Sequence, residues 1–354
     1  MSKITCLILF VIFFSSSCQR NSKKSNDEAY PTIQKNWRKI PDEWINKALK
    51  FNYQKVDTTL FVEFSRYIKP DTIAHLKTEH VDPNYGLIFN SILADLDGDQ
   101  NSELICLQGW DVYTPNLCVF KQIDKAWYLI YKEEIDTFYN SPTLTIAGNY
   151  SSNKTFYLRR VYDHGSGVYI DGYSFYKLEN NKVYKCLKII NDAHIYGWGL
   201  YLNQSINSDF EFMGDIKDEL DVNYSYNFFP GSIYPTDFSW DSHEEIPLIS
   251  GQDAISYIYD KKAHQYKLDI PKYKSGATDL TAEKIDCFGD FGNDSLFVKA
   301  FRRHIDMVLK IGTPIQKKLL NKYLKLAEKN KTVHTEILEL KKHAGGTSFY
   351  GPSN

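Results

Sequence analysis

The sequence predicts a mainly β, antiparallel protein with a helical region at its C-terminus. Three observations predict it. From about residue 85 the chain runs in short apolar or alternating segments broken by Gly, Asn and Asp. Aromatic residues make up 15% of the chain, with 26 Tyr and 21 Phe, and rings are at home in strands. Beyond residue 289 the apolar spacing changes to that of amphipathic helices. The 354 residues, 43% of them hydrophobic, suffice for a large core. The net charge of −2 argues against a nucleic-acid binder, which carries a basic excess.

In chain order, Lys3 precedes an apolar run from Ile4 to Phe14, too short to cross a bilayer, which takes about 20 residues. A positive start, a short apolar stretch and small residues (Ser15, Ser16, Ser17) make residues 1–17 a secretory signal peptide. Cys18 follows at once, so the segment resembles a bacterial lipoprotein signal, in which that cysteine is acylated and becomes the first mature residue. Ser15 stands where Leu is usual, as in the looser boxes of Bacteroidota. No Asp follows Cys18, and by the same resemblance the expected location is the outer membrane. Residues 18–35 are polar and read as a flexible tether.

Residues 36–288 are expected to form the β-rich domain. "PDEWINKALKF" opens it with one helix, spacing Trp44, Ala48 and Phe51 on a single face. Strands follow at "YGLIFNSILA", "ELICLQ", "NLCVFKQ", "AWYLIYKEE", "TLTIAG", "TFYLRRVY", "GYSFYKLE" and "VYKCLKII". Asp124-Lys125 and Asn180-Asn181 mark two tight hairpins, and "ISYIYDKKAHQYKLD" has the form of a third. Similar hairpins suggest either a degenerate β-propeller or another multi-hairpin sheet. The region 203–250 reads as loop-like and aromatic: an insertion or a poorly patterned pair of strands. Residues 289–343 read as two or three amphipathic helices. Phe297, Phe301, Ile305 and Val308 share one face, Thr313 caps the next helix, and Thr332 starts another. Residues 344–354 read as a disordered tail.

The chemistry concentrates in "DLDGDQNSEL", residues 95–104. Three aspartates at alternate positions repel one another and call for water or a cation. In D-x-D-G-D-x-x-x-E, Asp95, Asp97 and Asp99 can converge with Glu103 and the carbonyl of Asn101 on calcium, which takes six to eight oxygens. An EF-hand is excluded: Gln100 stands where its glycine belongs and Cys106 where its last glutamate belongs. Strand, loop, strand with Gly98 at the fourth position is similar instead to the FG-GAP/VCBS calcium loop of integrin-like propeller blades, over residues 88–108. That resemblance implies a calcium ion bracing a turn between adjacent strands. In that family the loop recurs from blade to blade, whereas this chain has one clear copy.

Other motifs point away from catalysis. Asp163, His164 and Ser166 stand together in "YDHGSGVY", but a triad is recognised in space, and the segment reads as a glycine-rich turn. His243-Glu244-Glu245 does not match the H-E-x-x-H zinc helix, and no phosphate loop is present. Cys106, Cys118, Cys186 and Cys287 allow three disulfide pairings, or buried free thiols, and the sequence leaves the choice open. The expected function is therefore a non-catalytic binding or interaction module of the bacterial envelope, with a structural calcium site and an unidentified protein or glycan partner. A glycan hydrolase, whose paired carboxylates would come from distant residues, is the second expectation. An accessory lipoprotein that sequesters a protein partner is the third.

Overall fold

Two antiparallel meanders, one of five strands and one of eight, make up the fold of the computed structural model. The structure describes residues 37–51, parts of 60–67, 88–109, 115–137, 143–147, 154–195 without 166, 202–213, 218–230, 246–269, 282–288 without 286, and 294–343. The expected signal peptide, the expected tether with Cys18, His243 to Glu245 and the expected tail at 344–354 lie outside the described residues.

The smaller sheet has the order β1-β5-β4-β3-β2. Its strands are β1 (Arg38–Ile40), β2 (Ile88–Ala94), β3 (Glu103–Gly109), β4 (Asn116–Ile123) and β5 (Ala126–Glu134). Helix α1 (Asp42–Leu49) turns Trp44, Ile45 and Ala48 onto one face of it, beside Phe89, Phe120 and both Cys106 and Cys118. The β4–β5 hairpin closes through Asp124 and Lys125, whose φ angles of 49° and 65° are those of a type I′ turn. That turn matches the strand twist, and this fixes the register Ile123↔Ala126.

The larger sheet runs from β6 to β13 in unbroken sequence order. Its strands are β6 (Leu144–Ala147), β7 (Thr155–Gly165), β8 (Val168–Glu179), β9 (Lys182–Ile195), β10 (Leu202–Phe212), β11 (Glu219–Pro230), β12 (Ile249–Asp260) and β13 (Gln265–Leu268). The second and third expected hairpins, β8–β9 and β12–β13, are pieces of this one meander, while the first, β4–β5, belongs to the smaller sheet; they are not repeated blades. Of the two arrangements the sequence suggests, the molecule adopts the multi-hairpin sheet. Asn180 and Asn181 make the second type I′ turn, at φ 51° and 60°. The glycine-rich segment expected as a loop between strands is mostly strand: Asp163 and His164 lie in β7 and pair with β8, and the connection is confined to residues around Gly165 and Gly167, both at positive φ.

The sheet curls far enough for β13 to lie against β9. Thr155 Oγ1 and Tyr266 OH stand 3.2 Å apart, and the His264 ring stacks on Tyr184 at 3.9 Å. Lys177, fully buried, reaches Asp218 at 3.1 Å. The opposite face of β7 and β8 packs Phe156, Leu158, Tyr176 and Leu178 against Ile105, Leu107, Leu117 and Val119 of the smaller sheet.

An ion cluster spans the same seam. Glu133 on β5 accepts from Arg160 Nη1 at 2.7 Å, from Lys185 Nζ, and from the hydroxyls of Tyr131 and Tyr176. Burial works to raise its pKa, but hydrogen bonds from Lys185, Tyr131 and Arg160 outweigh that and hold it below the ordinary 4.5. A depressed carboxylate contributes stability above pH 4.5 that is lost as pH falls through its folded value. Glu133→Gln is therefore expected to flatten the acid side of a melting-temperature profile. An unchanged acid limb would show that the cluster does not couple the sheets.

The C-terminal region differs from the sequence reading in where it breaks. The expected single helix around Phe301 is two: α3 (Asp294–Ala300) and α4 (Arg302–Ile311), after the short α2 (Ala282–Ile285). The two helices expected beyond residue 313 are one, α5 (Pro314–His343), which runs straight through Thr332. Nothing at Thr332 forces a stop: no Gly or Pro lies between residues 315 and 344. The cap at Thr313 forms as expected and is reciprocal. Its Oγ1 accepts from the Gln316 amide at 3.2 Å, while Gln316 Oε1 accepts from the Thr313 amide at 3.0 Å. Leu319, Leu320 and Tyr323 join Phe297, Phe301 and Ile305 in one core with Tyr226 and Phe228 of the sheet.

In the region 203–250, read as an insertion or a poorly patterned pair of strands, the described part up to Pro230 is such a pair, and residues 231–245 lie outside the described residues. Strands β10 and β11 pair over eleven residues, from Leu202↔Pro230 to Phe212↔Leu220. Asn and Ser on their outward face mask the alternation, because these residues usually signal turns.

Candidate functional site

The acidic loop joins β2 to β3, whose register Ala94↔Glu103 brings its two ends side by side. Within it the chain folds onto its own carboxylates. Asp95 Oδ1 accepts from the Gly98 amide at 2.7 Å, and Oδ2 from the Gln100 amide at 3.1 Å. Asp99 Oδ1 accepts from the Asn101 amide at 2.8 Å. The bend needs positive φ at Gly98 (77°) and Gln100 (70°), and a glycine takes that conformation without steric cost. As the sequence predicts, one oxygen from each of Asp95, Asp97 and Asp99 lies within 4.8 Å of the others. At that separation two carboxylates repel by about 1 to 3 kcal/mol, depending on how much water screens them.

The cation that the structure places among them is Lys121. Its ammonium, on β4, lies 2.6 Å from Asp97 Oδ2, 2.8 Å from Asp99 Oδ2 and 2.9 Å from Glu103 Oε1. The lysine side chain is only 4% exposed and that of Glu103 is 0% exposed. Burial lowers the Lys121 pKa, but the three carboxylates outweigh it and hold the ammonium charged. Asp99 is held below its ordinary value: partial burial opposes this, and the Lys121 and Asn101 hydrogen bonds prevail. Glu103 goes the other way, to about 7, chiefly through burial and with Asp97 adding to it, against the pull of the Leu96 amide and Lys121.

Glu103 thus does a different job from the three aspartates. Its Oε1 takes Lys121 and its Oε2 takes the Leu96 amide at 2.8 Å, so both oxygens serve the protein. The Asn101 amide is spent on Asp99, and its side chain points back to the Asp99 carbonyl at 3.4 Å. Leu96 makes the loop a strap across the sheets. Its side chain sits in the core between them, and its carbonyl accepts from the Lys154 amide, next to β7, at 2.9 Å.

Three aspartates, with Glu103 held near 7, against one ammonium leave the cluster net negative. Asp97 Oδ1, moreover, is sealed from solvent and has no hydrogen-bond partner. An acceptor left so costs about 1 to 3 kcal/mol. The donor set is all oxygen, which suits a hard cation such as calcium or magnesium and not zinc. Lys121 was not singled out from the sequence, although a signal for it exists. It is the one charged residue in "NLCVFKQI", and a lysine in so apolar a strand needs a buried counter-charge.

His164 stands 3.7 Å from Asp136 and donates its backbone amide to Asp163. Ser166 lies outside the described residues. All four body cysteines are buried free thiols. Cys106 and Cys118 do face each other in register across β3 and β4, and burial pushes both thiols up. Among the described residues no helix is long and apolar enough to cross a membrane. No protein family, curated protein or solved structure matches the chain.

Proposed function

We propose that the chain is an exported protein of the bacterial envelope, acylated at Cys18, acting as a non-catalytic binding module braced by a calcium ion at the 95–103 loop. The observation that carries the metal reading is Asp97 Oδ1, buried and unpartnered inside an excess of negative charge. Calcium would be held by Asp95, Asp97, Asp99 and the Asn101 carbonyl, beside Lys121. Glu103 joins only by releasing Lys121 or Leu96. The ion would supply charge neutralisation and stiffness at the strap, not chemistry on a substrate. The outer-membrane anchor rests on the pattern of residues 3–18.

Exported calcium modules bind at roughly 10⁻⁴ to 10⁻³ M. At 10 mM calcium this adds about 1.4 to 2.7 kcal/mol to the folded state, or about 2 to 5 °C in melting temperature. The expected result is a melting curve raised by that amount over the same protein in chelator, with Asp97→Ala removing the difference. Coincident curves for the unmodified protein would end the calcium reading. Magnesium giving the same shift would keep the site and change the metal.

A further inference from the structure

We infer that the outward face of β10, β11 and β12 is a binding site for a neutral, hydroxyl-rich ligand, a glycan strand. The inference rests on the binding-module reading and places the binding far from the calcium loop in sequence. A groove of about 600 Å³ lies on these three strands. That is within the range of about 300 to 1,000 Å³ that ligand sites occupy. Register sets its floor. Asn207 pairs with Ser225, and Ser225 with Gln252, so one row crosses all three strands. Asp209 pairs with Asn223 to start the next row. Directly opposed residues share a face, so these groups project together. Asn207, Asp209, Asn223 and Gln252 are exposed, whereas Ile206, Val222 and Tyr226 on the other face are buried in the core.

Two properties of this floor point to a ligand. First, its composition works against its own strands. Asn and Asp are depleted in β-structure, where Thr or Val at the same exposed positions would be favoured, on a scale that spans about 1 kcal/mol. A place where local preference opposes the fold is where function is expected. Second, its chemistry selects a class. Amides offer a donor and an acceptor on one side chain, which matches a hydroxyl that does the same. Asp209 stands on this floor, and no basic residue is among its described lining groups, so an anionic polymer is repelled. An apolar ligand would strip water from amides and leave them unpaired, at about 1 to 3 kcal/mol each. A neutral glycan meets neither penalty.

The test uses the full-length protein, in calcium-containing buffer, on an array of neutral and anionic oligosaccharides. Binding to one or more neutral glycans is expected, insensitive to salt between low and physiological strength. The double variant Asn207→Thr, Asn223→Thr is expected to lose about tenfold in affinity, from two lost hydrogen bonds, while its melting temperature holds or rises. That combination separates a ligand contact from a structural role. An array with no neutral glycan bound overturns the proposal, and so does a variant that binds equally well or melts lower. Salt-sensitive retention of polyamines or basic peptides instead would assign the face to cations and also overturn it. The calcium melting experiment is independent of all these outcomes. A blank array with an intact calcium shift removes the glycan face and leaves the braced module. Glycan binding unaffected by the variant leaves the module and moves the site.

Discussion

Lys121→Met is expected to destabilise the protein by about 3 to 5 kcal/mol, the cost of removing one partner from a buried ion cluster. The argument is about what is left behind. The ammonium is the shared donor to Asp97, Asp99 and Glu103. Met fills most of the same volume, so little of the loss comes from packing. What the variant leaves is a largely buried Asp97 beside Asp99 with the nearest positive charge gone, and a fully buried Glu103 driven to take up a proton. The variant should also respond to calcium more strongly than the parent. A divalent ion can stand where the ammonium stood, and 10 mM should restore about 1 to 3 kcal/mol. Urea unfolding with and without calcium measures both quantities. A loss below about 1 kcal/mol would mean that water already reaches the cluster and screens it as at a surface. A full loss with no calcium response would mean that the loop is a protein-only clasp, closed by lysine and nothing else.

The half of this site contributed by one segment was legible, and the half contributed by another was not. Asp95, Asp97 and Asp99 lie within five residues, and their spacing alone requires convergence on a tight turn. Lys121 comes from a strand two places along the chain, and only the pairing of β3 with β4 brings it in. Sequence periodicity says that Lys121 shares a face with Val119 and Ile123, but not which carboxylates lie over that face. The same limit governs the fold. Hairpins closed by Asp124-Lys125 and Asn180-Asn181 were readable because two residues of positive φ decide them locally. Strands β10 and β11 were poorly readable because their outward positions carry Asn207, Asn223, Asn227 and Ser225, whose preferences point to turns. Sheet pairing overrides those preferences from a distance. If the groove binds a ligand, the residues that blurred the pattern are the ones retained for it.

Phe301→Ala is expected to cost about 3 to 5 kcal/mol, the range for deleting a buried ring, and to move the unfolding of sheet and helices together. Phe301 sits at the break between α3 and α4, fully buried. Its ring centroid is 4.9 Å from Phe297, 5.0 Å from Phe228, 5.7 Å from Tyr226 and 5.7 Å from His304. Two of these partners belong to α3 and α4, and two to β11. The side chain is therefore common to both regions, and the cavity left by alanine is lined by both. Phe288, just after α2, joins the same core, 5.1 Å from Tyr224 and 5.4 Å from Tyr226. A shared core predicts one cooperative transition, seen alike by near-ultraviolet signals from the aromatic rings and by helical ellipticity. In an independent helical domain the same substitution would lower the helical midpoint and leave the sheet's where it was. The texture change near residue 289 marks where the secondary structure switches. Phe301 makes that switch an internal seam of one folding unit, because the helices complete the core that β11 and β12 begin.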